Sequence, residues 1–190
     1  MKHVFSALGP AQENLYFRLK EAELLDHLRR EAGLAAGLQR IGGAAGAADQ
    51  DLFHGLLDLG YTSDTVVLLP LVPLVQIAWA NREVSSRELE RIRELAHMRG
   101  IDEGSPAFDL LESWLSRGFS DEFFRKTLRV IGRLLNALRP DERNAVKQEF
   151  ISSCSYVAQG SGAVLGLGNA IGFPERRLLE EIAGALERKG

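Results

Sequence analysis

The sequence predicts an all-α protein: a single helical bundle of about seven to eight helices, preceded by an N-terminal helical arm. Three observations lead to this prediction. The most apolar stretch, Val66 to Ala80, is apolar on almost every helical face, so other elements must enclose it. The segments around it show helical periodicity behind recognisable cap residues. No segment alternates apolar and polar residues over six or more positions, so we expect no sheet.

The composition is that of one soluble globular unit. The chain has 190 residues, 45% of them hydrophobic and 26% charged, which is enough for one sizeable core. A formal charge of -3 provides no basic field for nucleic acid. The single cysteine, Cys154, excludes an internal disulfide, and we interpret it as a buried, inert thiol. The N-terminus lacks a secretory signal pattern and no apolar run reaches the ~20 residues that a bilayer requires, so we expect a cytoplasmic protein.

The chain begins with the arm, a helix over residues 11–38 whose leucines recur at helical spacing. A Gly/Ala-rich joint at residues 42–46 separates the arm from the rest of the chain. We therefore divide the chain into the arm and joint, residues 1–47, and a helical domain, residues 48–190. The leucines of the arm suit three kinds of partner: a second copy of the chain in a homodimer, a helix of another protein, or a membrane surface. The sequence leaves these alternatives open.

Cap and breaker residues divide the domain into its helices. A short helix should start at an aspartate at position 49 or 51 and stop at Gly60. A hydroxyl residue at position 62 or 63 should cap the central apolar helix, which Pro70 and Pro73 should kink. After the corner at residues 81–84, Ser85 and Glu88 have the spacing of a capping box. The later helices should begin at Ser105-Pro106, Ser120, Pro140 and Pro174-Glu175.

The corner recurs later in the chain. With an offset of 87 residues, the segment from Val84 to Glu88 falls on the segment from Ile171 to Glu175, and the apolar stripes of the two helices after them coincide. Two helix-corner-helix units related by a pseudo-twofold axis explain this recurrence. A chance similarity between two capped helices is the alternative.

At the corner the chain reads Ala80-Asn81-Arg82-Glu83-Val84-Ser85. This segment resembles the signature Ala-Asp-Gly-Glu-(Val/Ile)-Ser of the TerB-like family, all-helical domains first met among tellurite-resistance proteins. The resemblance extends over about residues 64–186. It implies an all-helical fold, a non-catalytic interaction or scaffolding role connected with stress response, and an acidic corner that binds a divalent metal.

The resemblance places the metal ligands at Asn81, Glu83 and Glu88. Asn81 stands where the family has aspartate and Arg82 where it has glycine, so the corner offers at most two carboxylates and an amide beside a cationic group. Calcium prefers six to eight oxygens. We therefore expect a metal such as calcium to bind weakly or not at all, with a structural role for Glu88 in the capping box as the favoured interpretation.

The remaining polar residues do not predict catalysis. The sequence contains no recognisable nucleophile-base pair and no paired catalytic acids, so we expect neither an enzyme nor a cofactor. The four histidines show no metal-ligand spacing: His3, His27, His54 and His97. A helical row of Arg125, Arg129 and Arg133, flanked by Lys126 and Arg139, could form a charged binding face, although a solvated face is favoured. The leading prediction is an interaction or scaffolding domain with a protein partner, and the alternative is a divalent-metal sensor at residues 81–88.

Overall fold

The computed structural model of the chain describes residues 10–40, 50–161 and 172–187. Within these ranges all regular structure is helical, which confirms the predicted fold class. Eight α-helices are joined by loops and short 3-10 segments. The helices are α1 (Pro10–Arg40), α2 (Gln50–Asp58), α3 (Val72–Ala78), α4 (Ser86–His97), α5 (Pro106–Arg117), α6 (Asp121–Asn136), α7 (Pro140–Ala158) and α8 (Phe173–Glu187).

The central apolar segment differs in local geometry from the single kinked α-helix that the sequence predicts. It starts as a 3-10 helix, Val66–Leu71, and continues directly into the short helix α3. Pro70 lies inside the 3-10 stretch and Pro73 in the first turn of α3. A proline has no N–H to donate to the preceding turn, but in the first turn of an α-helix that donor has no helical partner anyway. The prediction of one kinked helix is therefore wrong: two helical pieces with different hydrogen bonding accommodate the prolines.

The central segment is nevertheless enclosed as predicted. Helices α1, α4, α5, α6, α7 and α8 each contact its 3-10 stretch or α3. From Val66 to Ile77 its buried apolar side chains are at most 1% exposed: Val66, Leu68, Leu69, Leu71, Val72, Leu74, Val75 and Ile77. Burying one such side chain contributes about 1.5–3 kcal/mol. This segment is therefore the element around which the other helices pack.

The predicted starts of α5 and α6 are confirmed by their cap bonds. The hydroxyl of Ser105 accepts the N–H of Phe108 at 3.1 Å, and that of Ser120 accepts the N–H of Phe123 at 3.1 Å. After α2, Gly60 adopts φ +80°, the left-handed conformation that favours glycine at a helix end. These signals lie within a few residues of each other in sequence, which is why they could be found there.

The arm, helix α1, packs on the domain through its C-terminal part. Leu34 and Leu38 are fully buried there, and α1 contacts α2 and the central 3-10 stretch. Nearer its N-terminus, Leu24 and Leu28 are 58% and 49% exposed. Among the described residues, no helix combines the length and hydrophobicity that crossing a membrane would require.

Candidate functional site

The corner after α3 is a tight turn with one residue in a left-handed conformation. A 3-10 turn, Trp79–Asn81, is followed by Arg82 at φ 64°, whose N–H donates to the carbonyl of Trp79 at 2.9 Å. The indole N–H of Trp79 donates to the carbonyl of Trp114 at 3.0 Å and holds the turn against α5. For a residue with a Cβ this conformation costs roughly 1–2 kcal/mol, and for glycine it does not. Arg82 is therefore strained, whereas a glycine at this position would not be.

The capping box that starts α4 is complete. One carboxylate oxygen of Glu88, Oε2, accepts the N–H of Ser85 at 2.8 Å, and the Ser85 hydroxyl accepts the N–H of Glu88 at 3.3 Å. The same hydroxyl donates to the carbonyl of Gly160 at 3.2 Å, in the turn after α7. A Cβ on Gly160 would lie 3.1 Å from the Glu88 nitrogen, so a larger residue at this position would push the two backbones slightly apart. The first turn of α4 is thus fixed from two directions.

Glu175, in the first turn of α8 after the second corner, lies beside Asn81 and Glu88. Glu88 and Glu175 are only 1% and 0% exposed, and the Asn81 side-chain amide donates to Oε1 of Glu175. Among the described residues, Oε1 of Glu88 and Oε2 of Glu175 have no hydrogen-bond partner. Leaving a buried acceptor unsatisfied costs about 1–3 kcal/mol. Two buried carboxylates, each with an unsatisfied oxygen, therefore form the core of the site.

The electrostatics of this acid pair favour the uptake of positive charge. Burial is the main cause that raises the pKa of Glu88 above its usual range, and the negative charge of Glu175 raises it further. Hydrogen bonds from Ser85 and the positive charge of Arg91 act in the opposite direction. Both carboxylates lie in the first turn of a helix, where the backbone N–H groups favour negative charge. The pair can thus persist in the fold, but a proton or a cation would stabilise it.

The second carboxylate lies against Gly172, the residue before α8. A Cβ at this position would collide with Oε2 of Glu175 unless that side chain moved. Under the 87-residue offset Gly172 is the counterpart of Ser85, and Glu175 is the counterpart of Glu88. The two corners thus place the equivalent glutamates close together. Their cap residues differ, because Ser85 has a side chain that accepts a hydrogen bond and Gly172 has none.

Two of the three predicted metal ligands lie at the site, and the third lies away from it. Asn81 and Glu88 belong to the site, whereas Glu83 is an exposed side chain. Glu175 joins them instead, a residue that the internal repeat pairs with Glu88 but that is absent from the predicted ligand set. The signal was present in the repeat: a glutamate at the same place in both copies.

The histidines, which show no metal-ligand spacing in sequence, are not all far apart in space. On α1, Nε2 of His27 lies 3.2 Å from Oε1 of Glu31. The ring of His54, on α2, stacks on that of His27 with centroids 5.4 Å apart and an interplanar angle of 20°. By contrast, His97 is exposed and its Nδ1 lies 2.9 Å from a carboxylate oxygen of Asp102. His3 lies outside the described residues.

The two remaining candidate features are the row of basic residues on α6 and the thiol of Cys154. The row Arg125, Arg129 and Arg133 lines an open groove of about 730 Å³ between α6 and α8. Basic residues of this row and its flanks form ion pairs with nearby acidic residues: Lys126–Glu122 at 2.8 Å, Arg139–Glu142 at 2.7 Å and Arg133–Asp51 at 3.7 Å. Cys154 is fully buried, and burial raises the pKa of its thiol to about 12. These surroundings fit a solvated face and an inert thiol.

No model of a known family, no curated protein and no solved structure matches this chain. The resemblance to the TerB-like family therefore rests on the residues of the corner, and it stays a prediction.

Proposed function

We propose that this protein is a non-catalytic helical domain that binds a small divalent cation of the Mg²⁺ type between its two corners. The observation that carries the proposal is the buried pair Glu88 and Glu175, in which each carboxylate has an oxygen without a partner among the described residues. Buried carboxylates require a compensating charge or hydrogen bonds, and a cation between the two would provide that charge.

The donor set decides which cation fits. The oxygens available are one from Glu88, one from Glu175 and the side-chain oxygen of Asn81. Mg²⁺ and Mn²⁺ are commonly held by one or two carboxylates and keep several of their waters, whereas Ca²⁺ needs six to eight oxygens and Zn²⁺ favours nitrogen and sulfur. Asn81 is exposed, so waters of a bound cation would lie on its side of the site, because the free oxygens of Glu88 and Glu175 are buried. The positive charge of the neighbouring Arg82 weakens binding.

A bound cation would connect the first turns of α4 and α8, which come from different parts of the chain. Because the central segment contacts both helices, occupancy would stabilise the whole bundle. Cation binding would thus change the stability of the domain without any catalysis. Such an effect is compatible with the interaction or scaffolding role that the TerB-like resemblance implies.

The proposal is tested by calorimetric titration and thermal unfolding of the full chain with MgCl₂, MnCl₂ and CaCl₂ at pH 7.5. We expect saturable binding of Mg²⁺ or Mn²⁺ and a stabilisation of about 2.7 kcal/mol at a concentration of 100 Kd. Glu175→Gln should abolish both effects. Glu83→Gln, which removes the same charge from an exposed position, should leave them in place. No binding by the wild type, or an equal loss in the two variants, would overturn the proposal.

A second candidate function, association through the arm, is favoured by an exposed leucine face on α1. Leu24, Leu25 and Leu28 are 58%, 46% and 49% exposed, and residues three or four apart share a helix face. The helix carries both signs of charge beside these leucines, as in the pairs Lys20–Glu23 and Arg30–Asp26. We infer that a second copy of the arm covers this face.

Light scattering coupled to size exclusion tests this association. The full chain should elute as a dimer at micromolar concentrations, and the double change Leu24→Glu with Leu28→Glu should produce a monomer. The matched control is Leu19→Glu, because Leu19 is 56% exposed but five positions from Leu24 and hence on another side of the helix. A monomeric wild type, or a dimer that survives the double change, excludes this mode of association.

A further inference from the structure

We propose a second metal site, separate from the acid pair: His27, Glu31 and His54 bind a Zn²⁺-type ion that fastens the arm to the domain. The ligand atoms of these three side chains all lie within 4.8 Å of one another. Two of them come from α1 and one from α2. Two imidazoles and a carboxylate are a common protein ligand set for Zn²⁺, with a fourth position left for water or another ligand.

One pair of the three ligands already has the spacing of a coordinated ion. Zn²⁺ binds histidine nitrogen and carboxylate oxygen at about 2.0–2.2 Å, so two ligand atoms of a tetrahedron lie roughly 3.3–3.5 Å apart. The distance of 3.2 Å between Nε2 of His27 and Oε1 of Glu31 is already near this value. His54 is exposed, so its side chain can change rotamer and bring its ligand nitrogen, which lies within 4.8 Å of the other two ligand atoms, closer to them.

The backbone on both sides of the site is held by buried neighbours. Two and three turns after His27, Leu34 and Leu38 are fully buried and anchor α1 on the domain. Two residues before and after His54, Leu52 and Leu56 are 6% and 0% exposed and anchor α2. The three ligands therefore project from two fixed helices, which lowers the entropic cost of bringing them together on an ion.

The chemistry of this cluster separates it from the acid pair. Imidazole nitrogens select transition metals such as Zn²⁺, Cu²⁺ and Ni²⁺, whereas a site made only of oxygens selects Mg²⁺, Mn²⁺ and Ca²⁺. Glu31 and His54 also lie on opposite sides of the Gly/Ala-rich joint at residues 42–46. An ion held between them would act as a cross-link across the joint, and it would fix the direction in which the arm presents its exposed leucines.

The experiment uses the untagged full chain after treatment with a chelator. ZnCl₂ is titrated by calorimetry at pH 7.4, and CoCl₂ is titrated in parallel to record the visible absorption of a tetrahedral Co²⁺ site. We expect one bound ion per chain, a rise in Tm with ZnCl₂, and Kd values at least about tenfold higher in His27→Ala, His54→Ala and Glu31→Gln. His97→Ala serves as the control, since His97 is equally a surface histidine but lies beside Asp102 on another part of the fold.

Three results would overturn the proposal: no saturable Zn²⁺ binding by the wild type, Zn²⁺ binding that is unchanged in His54→Ala, or binding that His97→Ala removes. His54 is exposed, so its variant will fold and can decide the question even if His27→Ala proves unstable. Glu175→Gln should keep full Zn²⁺ affinity, because the acid pair takes no part in this site. Failure of the Mg²⁺ proposal would therefore leave this one standing, and the reverse also holds.

Discussion

Replacing Glu88 by glutamine should stabilise the protein at neutral pH in the absence of divalent cations. The side-chain oxygen of the glutamine can still accept the N–H of Ser85, as Oε2 of Glu88 does at 2.8 Å. Its neutral amide removes both the unsatisfied acceptor Oε1 and the repulsion between the charges of Glu88 and Glu175. Removing the cost of a buried unsatisfied acceptor should raise the free energy of unfolding by about 1–3 kcal/mol. For a chain of this length each kcal/mol raises Tm by about 2–4 °C.

The gain should depend on pH in a direction fixed by the pKa of Glu88. Because that pKa is raised in the folded state, the folded protein holds this proton more tightly than the unfolded chain does. The contribution of Glu88 to stability is complete below the unfolded pKa of about 4.3 and is lost as the pH rises through the folded value. The stability difference between Glu88→Gln and wild type should therefore be small at pH 4 and should grow towards pH 8.

Urea denaturation followed by circular dichroism, in EDTA at several pH values between 4 and 8, measures this difference. Comparing the two proteins at each pH cancels the titration of groups that do not interact with Glu88. Glu83→Gln is the control and should show no pH-dependent gain, because Glu83 is exposed. A Glu88→Gln protein that is less stable than wild type at pH 8, or a gain that is constant from pH 4 to pH 8, would refute the reasoning.

Four further changes test the corner and the core. Ser85→Ala should cost about 1 kcal/mol, and more than Ser120→Ala, because the Ser85 hydroxyl also donates to the turn after α7; urea denaturation compares the two. Arg82→Gly should relieve left-handed strain and add about 0.5–1 kcal/mol in the same assay, where a loss would contradict the strain argument. Ile77→Ala should cost about 2–5 kcal/mol, and a loss below about 1 kcal/mol would mean that the central segment is not enclosed. Cys154 should react with a thiol reagent only as fast as the protein unfolds; rapid labelling of the native state would contradict its burial.

The sequence predicts those parts of the fold that local chemistry determines. The serine caps at positions 85, 105 and 120 and the glycine at position 60 act over a few residues, so their spacing alone identifies them. Burial of the central segment also follows from its composition. Its division into a 3-10 stretch and α3 does not, because apolar composition determines whether a segment is buried, and not how its backbone is hydrogen-bonded.

The candidate site is only partly predictable, for a related reason. The repeat pairs Glu88 with Glu175, but their meeting in space depends on how α4 and α8 pack across the bundle. A ligand set chosen from residues that are close together in sequence therefore includes the exposed Glu83 and omits Glu175. The contact of His27 with His54 is still harder to foresee, because the joint between them contains no residue pattern that sets the direction of the arm.

The most direct test of the central claim is a carbon-13 NMR titration of the side-chain carboxyl of Glu88, with the full chain in EDTA and again in saturating Mg²⁺. In EDTA the pKa of Glu88 should lie above its usual range, since burial and Glu175 disfavour its charged form. In Mg²⁺ the pKa should fall clearly, because the cation favours the carboxylate. An ordinary pKa in EDTA, or a raised pKa that Mg²⁺ leaves unchanged, would contradict a cation site at the paired corners.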